Sequence, residues 1–173
     1  MAIEGGCKWV VLDMPGAEDS QIREVAADLV PLCRETATIL TLVDRVELAK
    51  ELGVHGVLLT PAAGVSARIA REACGPEAII GVQVEVASSA LAVVGADVDY
   101  VVFPATVPLE RVGENIEALR NAKFELPVVA AFESMPDIDL ALRLGVNGIA
   151  LGSVIADSAD PVAETERFIG LLK

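Results

Sequence analysis

The feature that most limits the fold is an alternation that runs along the whole chain. A short apolar run bounded by turn residues is followed by a segment with apolar residues at helical spacing, and then by another run. The apolar runs are Lys8 to Asp13, Thr38 to Val43, Gly56 to Thr60, Ala78 to Glu85, Asp99 to Phe103, Pro127 to Ala131 and Gly148 to Leu151. Between them the spacing predicts helices capped by Asp19-Ser20, then over Val46–Leu52, Ser66–Ala73, Ser88–Val94, Leu109–Ala122, Asp137–Leu144 and Asp160–Leu172, with Pro31 expected to kink or end the first. Strands this short and this uniformly apolar read as buried on both faces, which is the habit of parallel sheets covered by helices. Roughly seven strand-then-helix units of about 20–25 residues each describe a TIM-barrel-like (βα) barrel, or an open parallel sheet, one unit short of eight. No linker or low-complexity stretch interrupts the series, so residues 1–173 are expected to form a single domain.

Composition narrows the function classes. With 53% hydrophobic residues and only 3% aromatics, the core has to be built from Ala, Val, Leu and Ile. A formal charge of −13 argues against binding nucleic acid or an anionic membrane, since both need a basic face. Cys7, Cys33 and Cys74 are odd in number, far apart and without a C-x-x-C pair, which reads as reduced thiols. No basic segment precedes a long apolar one and no uncharged run is long enough to span a bilayer, so a cytoplasmic protein is expected.

In parallel α/β folds the C-terminal strand ends share one face, and ligands bind there. Gly152-Ser153 follows the run Gly148 to Leu151, where a glycine admits a ligand close to the main chain and neighbouring backbone N–H groups can hold a phosphate. The alternative is that Gly152 permits a tight turn and Ser153 caps it. Asp13, Asp44, Glu85 and Glu133 fall at the ends of four other runs, and carboxylates converging on one mouth can hold Mg²⁺ or an amine, or can simply be solvated loop acids among the chain's 26. Asp44 also suits a cap on the following helix, and Arg45 suits either a phosphate contact or a pair with Glu47 or Asp44. His55 lies in a turn on the opposite face, where a surface role is expected.

The chain resembles thiamine phosphate synthase and its thiazole-tautomerase-type relatives over essentially its whole length. The residues that carry the resemblance include Gly5-Gly6-Cys7-Lys8-Trp9-Val10, Val43-Asp44-Arg45-Val46-Glu47-Leu48-Ala49, Ile79-Ile80-Gly81, Asp99-Tyr100-Val101, Pro127-Val128-Val129-Ala130 and Gly148 to Ile155 with Asp160-Pro161. The resemblance implies a barrel that joins a pyrimidine pyrophosphate to a thiazole phosphate, with Mg²⁺ as the cofactor, Asp44 as a metal ligand, and Gly152 and Ser153 cradling phosphate. It also implies losses. The family's pyrophosphate-gripping Gln-Leu-Arg-x-Lys is here Val11-Leu12-Asp13-Met14-Pro15, its second metal-binding Asp falls at Ala63, and its Ile-Gly-Gly-Ile phosphate loop is Ala131-Phe132-Glu133-Ser134. Its Thr-rich, Lys-ending loop is shortened to Pro104-Ala105-Thr106-Val107-Pro108. Two expectations follow: a thiamine-biosynthesis-type barrel with lost or much reduced synthase activity, or a non-catalytic or redesigned scaffold that keeps at most a phosphate or metal subsite. Because Gly5-Gly6 matches the end of the family's first helix, a gap is expected beside the Lys8 to Asp13 strand, covered by an N-terminal segment or by a second copy of the chain.

Overall fold

The computed structural model describes residues 1–172. Seven parallel strands alternate with helices, and the strands lie side by side in chain order in one sheet. They are β1 (Trp9–Leu12), β2 (Ile39–Val43), β3 (Gly56–Leu59), β4 (Ile79–Gln83), β5 (Tyr100–Phe103), β6 (Val128–Phe132) and β7 (Gly148–Leu151). The helices are α1 (Asp19–Glu35), α2 (Val46–Leu52), α3 (Ala67–Cys74), α4 (Ala87–Ala92), α5 (Leu109–Asn121), α6 (Ile138–Arg143), α7 (Ser153–Ala156) and α8 (Pro161–Leu171). The barrel expected from the sequence is present as a curled, unclosed sheet, and most element ends fall within a residue or two of those expected.

Two local expectations are corrected. Helix α1 begins after Glu18, whose N–H donates to the Gln21 side chain at 2.9 Å, and it runs through Pro31 to Glu35. Pro31 is exposed, so water can take the carbonyl that loses its N–H partner. The short α7 was hidden in the sequence because it is a single turn directly after a strand, too brief to show a period.

Each strand presents one side to the helices and the other to the barrel interior. Leu42, Val57, Leu59, Ile80, Val101, Phe103, Val128 and Ala130 pack outward into the main core. Leu58, Tyr100 and Val102, with Val43, Ile79, Val129 and Ala131, fill the interior as a separate, smaller cluster. Tyr100 is the bulkiest residue there. Trp9 meets its ring edge-on at a centroid distance of 5.0 Å and donates to the Thr41 hydroxyl at 3.2 Å. Burial pushes the Tyr100 phenol up to about 12, and the phenol oxygen has no hydrogen-bond partner among the described residues.

The N-terminal strand ends are tied by one repeated device. The residue just before β3, β5 and β7 accepts, through its side chain, a backbone N–H of the preceding strand: Leu40 to His55 Nδ1 at 3.0 Å, Ile80 to Asp99 at 2.7 Å, and Val128 to Asn147 at 2.9 Å. Arg71 and Arg120 then bind Asp99 and Asn147 at 2.8 and 3.0 Å. These bonds stabilise the N-terminal end of the sheet; in parallel (βα) folds ligands bind at the opposite end.

Strands β1 and β7 each have one unpaired edge. Residues 1–7 lie across the helix layer at this gap. Cys7 N–H donates to Ala2 O at 3.1 Å and Gly6 N–H to Ile3 O at 3.0 Å, with Gly6 at φ 93°, which is a Schellman cap. Ile3 packs on Cys33 and Leu40, while Gly5 fits so closely against α8 that a Cβ there would lie 2.6 Å from Val162 O. The cover is partial, because Trp9 and Val11 on the interior side of β1 remain 37% and 38% exposed.

Candidate functional site

The C-terminal ends of β1, β2 and β3 frame a cleft of about 380 Å³. Its charged lining is Asp13, Asp44 and Arg45, beside Met14, Gly16, Thr60 and Ala63. Asp44 is the most constrained of these. It takes a left-handed backbone conformation, φ 57°, which Asp tolerates better than most residues because its short side chain bonds locally. Here Asp44 Oδ1 accepts the Thr60 N–H at 2.6 Å and Oδ2 accepts the Thr60 hydroxyl at 2.5 Å, locking the β2 end to the β3 end. The cap on α2 foreseen as an alternative does not form: Arg45 is the N-cap and makes no side-chain cap bond.

The clamp gives a direct prediction. Asp44→Ala loses two hydrogen bonds to a charged acceptor and puts a Cβ-only side chain in a left-handed site, so it should cost about 2–3 kcal/mol in urea unfolding at constant m-value. Asp44→Asn should cost roughly half of that. A loss under about 0.5 kcal/mol for the alanine variant would show that the clamp does not hold the strand ends.

Arg45 turns away from Asp44 and Glu47. Its Nη2 donates to Ala17 O at 3.3 Å and its Nε lies 3.5 Å from Asp19, so it buttresses the start of α1. Asp13, exposed on the facing wall, has its carboxyl pKa raised, first by partial desolvation and second by Asp44. Two carboxylates therefore face each other across a cleft whose one lining cation is engaged elsewhere. Arg111, a conceivable donor of charge, is held by Glu114 at 2.5 Å, and Lys123 sits in the turn before β6, at the far end of the barrel.

Across the mouth, Gly152 follows β7 and Ser153 opens α7. Ser153 Oγ donates to Glu133 Oε2 at 2.8 Å and lies 3.0 Å from the Glu133 main-chain oxygen, which joins the β6 and β7 ends. Glu85 is exposed in the turn after β4 and has no hydrogen bond or ion pair among the described residues. The expected set of acids thus separates into Asp13 with Asp44, Glu133 with Ser153, and Glu85 alone. Sequence reasoning missed Thr60, whose only signal is a hydroxyl at a strand end.

Mg²⁺ takes about six oxygens, commonly one or two carboxylates with waters and the phosphates of a ligand. Among the described residues no group of three or more His, Cys, Asp or Glu side chains is placed to hold a metal ion. Each Asp44 oxygen accepts one hydrogen bond from Thr60, which fixes the carboxylate's direction and leaves a lone pair on each. The donor set does not fit an ion held by the protein alone.

Residues 1–155 match the sequence profile of the family described as thiamine monophosphate synthase. The chain belongs to that family. It is similar to the thiamine-phosphate synthase of Bacteroides thetaiotaomicron, 37% identical over 99% of this chain and 88% of the relative. That of Phocaeicola vulgatus is 32% identical over the same shares. Among solved structures, the thiamine phosphate pyrophosphorylase of Pyrococcus furiosus superposes with a TM-score of 0.83 at 27% identity, covering 99% of this chain and 85% of that one. Family membership fixes the barrel and the direction of its strands, so the ends that carry Asp44 and Ser153 are the ends where such a fold binds ligands. No described helix is long and apolar enough to cross a membrane.

Proposed function

We propose that the chain is a thiamine phosphate synthase-like barrel of the thiamine-biosynthesis type whose synthase activity is lost or much reduced. The observation that carries this is the charge of the β1–β3 cleft. Asp13 and Asp44 line it together, and Arg45 is tied to Ala17 and Asp19. Moving a pyrophosphate-bearing group requires preorganised positive charge around a developing anion. This cleft offers the opposite sign.

Asp44 is the residue best suited to touch a metal ion, with Asp13 nearby, but an ion would have to arrive with a phosphorylated ligand that completes its oxygen shell. Gly152 and Ser153 are the candidate phosphate contacts, and a small phosphorylated heterocycle is the candidate ligand. Residues 1–173 act in this reading as one domain in the cytoplasm, with the open β1 and β7 edges as the surface a second copy would use. A purely structural role is supported by one specific feature: the polar groups at both strand-end sites already satisfy each other, Asp44 with Thr60 and Ser153 with Glu133.

Calorimetry with inorganic pyrophosphate in excess Mg²⁺ tests the cleft directly. Saturable binding tighter than about 1 mM is not expected, because among the described residues no side-chain cation lining the cleft is free to meet the ligand. A dissociation constant near 10 μM or below, lost in Asp44→Asn, would overturn the reading and would make the cleft a working metal-pyrophosphate site.

A further inference from the structure

We infer that His55 is an acid-sensitive joint, which ties β3 to β2 while its imidazole is neutral and loosens that tie when the ring takes up a proton. The strands it joins are the two whose opposite ends carry the Asp44–Thr60 clamp.

The hydrogen bonds at the joint carry it. Leu40 N–H donates to His55 Nδ1 at 3.0 Å, and that nitrogen accepts only while it holds no proton, so the neutral ring keeps its hydrogen on Nε2. A second proton has to go to Nδ1. It then faces the Leu40 N–H as donor against donor, and the bond breaks. His55 is exposed while Leu40 is 1% exposed, so a proton from solvent reaches the ring directly but the freed backbone N–H is left buried without a partner. The main-chain bonds on either side do not depend on the ring: His55 N–H donates to Leu40 O at 2.8 Å, and Ile79 N–H donates to His55 O at 2.8 Å. The change is therefore local.

The two sister joints show what is special about this one. Before β7 the acceptor is Asn147, which does not titrate, and before β5 it is the carboxylate of Asp99; an arginine holds each of them, Arg120 at 3.0 Å and Arg71 at 2.8 Å. His55 is the chain's one histidine, the residue type whose charge changes near neutral pH. The charges around it do not rescue its protonated form. Helix α1 brings Arg34, whose Nη2 lies 3.4 Å from where a Cβ on Gly53 would be, and this guanidinium opposes a second cation. Helix α2 brings Lys50 in its last turn, the approach to β1 brings Lys8, whose Nζ donates to Thr36 O at 3.4 Å, and the turn before β4 brings Glu77. Among the described residues none of these groups bonds to the His55 ring.

The experiment combines ¹⁵N NMR of the single histidine with urea unfolding and amide hydrogen exchange between about pH 7.5 and pH 5.5, on the parent and on His55→Asn. At the upper pH the ring should show an unprotonated Nδ1 and a protonated Nε2. A free histidine is half protonated near pH 6.5, so at about pH 5.5 the unfolded chain gains roughly tenfold from a proton that the intact joint refuses. The unfolded chain then binds more protons than the folded one, so stability falls as the pH falls. The unfolding equilibrium constant of the parent, divided by that of His55→Asn, should rise by about threefold to tenfold across this range. Asparagine keeps an acceptor, as Asn147 does before β7, so the variant should fold and lose the dependence. Over the same range the protection of the Leu40 amide should fall in the parent, while that of Val128, held by Asn147, should not. A ring that carries its proton on Nδ1 at the upper pH would overturn the inference without any variant. So would a ratio that changes by less than about threefold, or an equal loss of protection at Leu40 and Val128, which would mean a general loosening by acid.

Discussion

Gly56→Ala should unfold the protein or destabilise it by more than about 4 kcal/mol, the range reserved for direct steric conflict in a core. Gly56 opens β3, is buried, and is paired with Thr41 on one side and Ile79 on the other. A Cβ at this position would lie 1.9 Å from Ile79 O, 2.6 Å from Ile79 N and 2.7 Å from Ile79 C. These are backbone atoms of the neighbouring strand, so no rotamer change relieves the overlap. The sheet itself would have to part between β3 and β4, and with it the bond from Ile79 N–H to the His55 carbonyl oxygen at 2.8 Å. Gly170→Ala is the matched control. Gly170 lies in α8 with open space around it, so alanine there should stabilise by about 0.5–1 kcal/mol through helix propensity and the unfolded chain. Urea unfolding followed by circular dichroism reads both. A Gly56→Ala protein within about 1 kcal/mol of the parent would mean that β3 and β4 do not approach as closely as described.

The fold was legible because the chain repeats one physical instruction. Each apolar run is too short for a helix and too uniform for a half-exposed strand, and each following segment carries one apolar face. The strand Gly148–Leu151 and the helix Val46–Leu52 occur with the bounds their patterns predict. Less was legible where partners are far apart in sequence. That Asp44 answers Thr60, that Ser153 answers Glu133 and that Asn147 answers Val128 depends on register, and periodicity does not encode register.

The same limit explains the fate of the acidic cluster. Asp13 and Asp44 line one cleft because β1 and β2 are neighbours with Leu12 paired to Leu42. Position at a strand end did not reveal which acids would be spent on internal bonds. A carboxylate at a strand end looks the same in sequence whether it awaits a ligand or clamps the next loop.

In the reading proposed above, a barrel of the thiamine monophosphate synthase family carries here a mouth whose charge opposes the family's chemistry. Where the family resemblance calls for an Arg and a Lys this chain has Asp13 and Pro15, and where it calls for paired glycines it has Phe132 and Glu133. Removing one preorganised charge-stabilising contact from an active site costs about 10²–10³ in rate, and the resemblance implies that several are absent together. Such losses are not additive, since groups that act on one charge share its stabilisation. The most direct test is single-turnover formation of thiamine phosphate from the pyrimidine pyrophosphate and the thiazole phosphate in saturating Mg²⁺, beside an ordinary family member under the same conditions. The account predicts a rate lower by at least about 10⁴, equivalent to roughly 5.5 kcal/mol of lost transition-state stabilisation. A rate within about tenfold of the ordinary enzyme, a difference below about 1.4 kcal/mol, would contradict it.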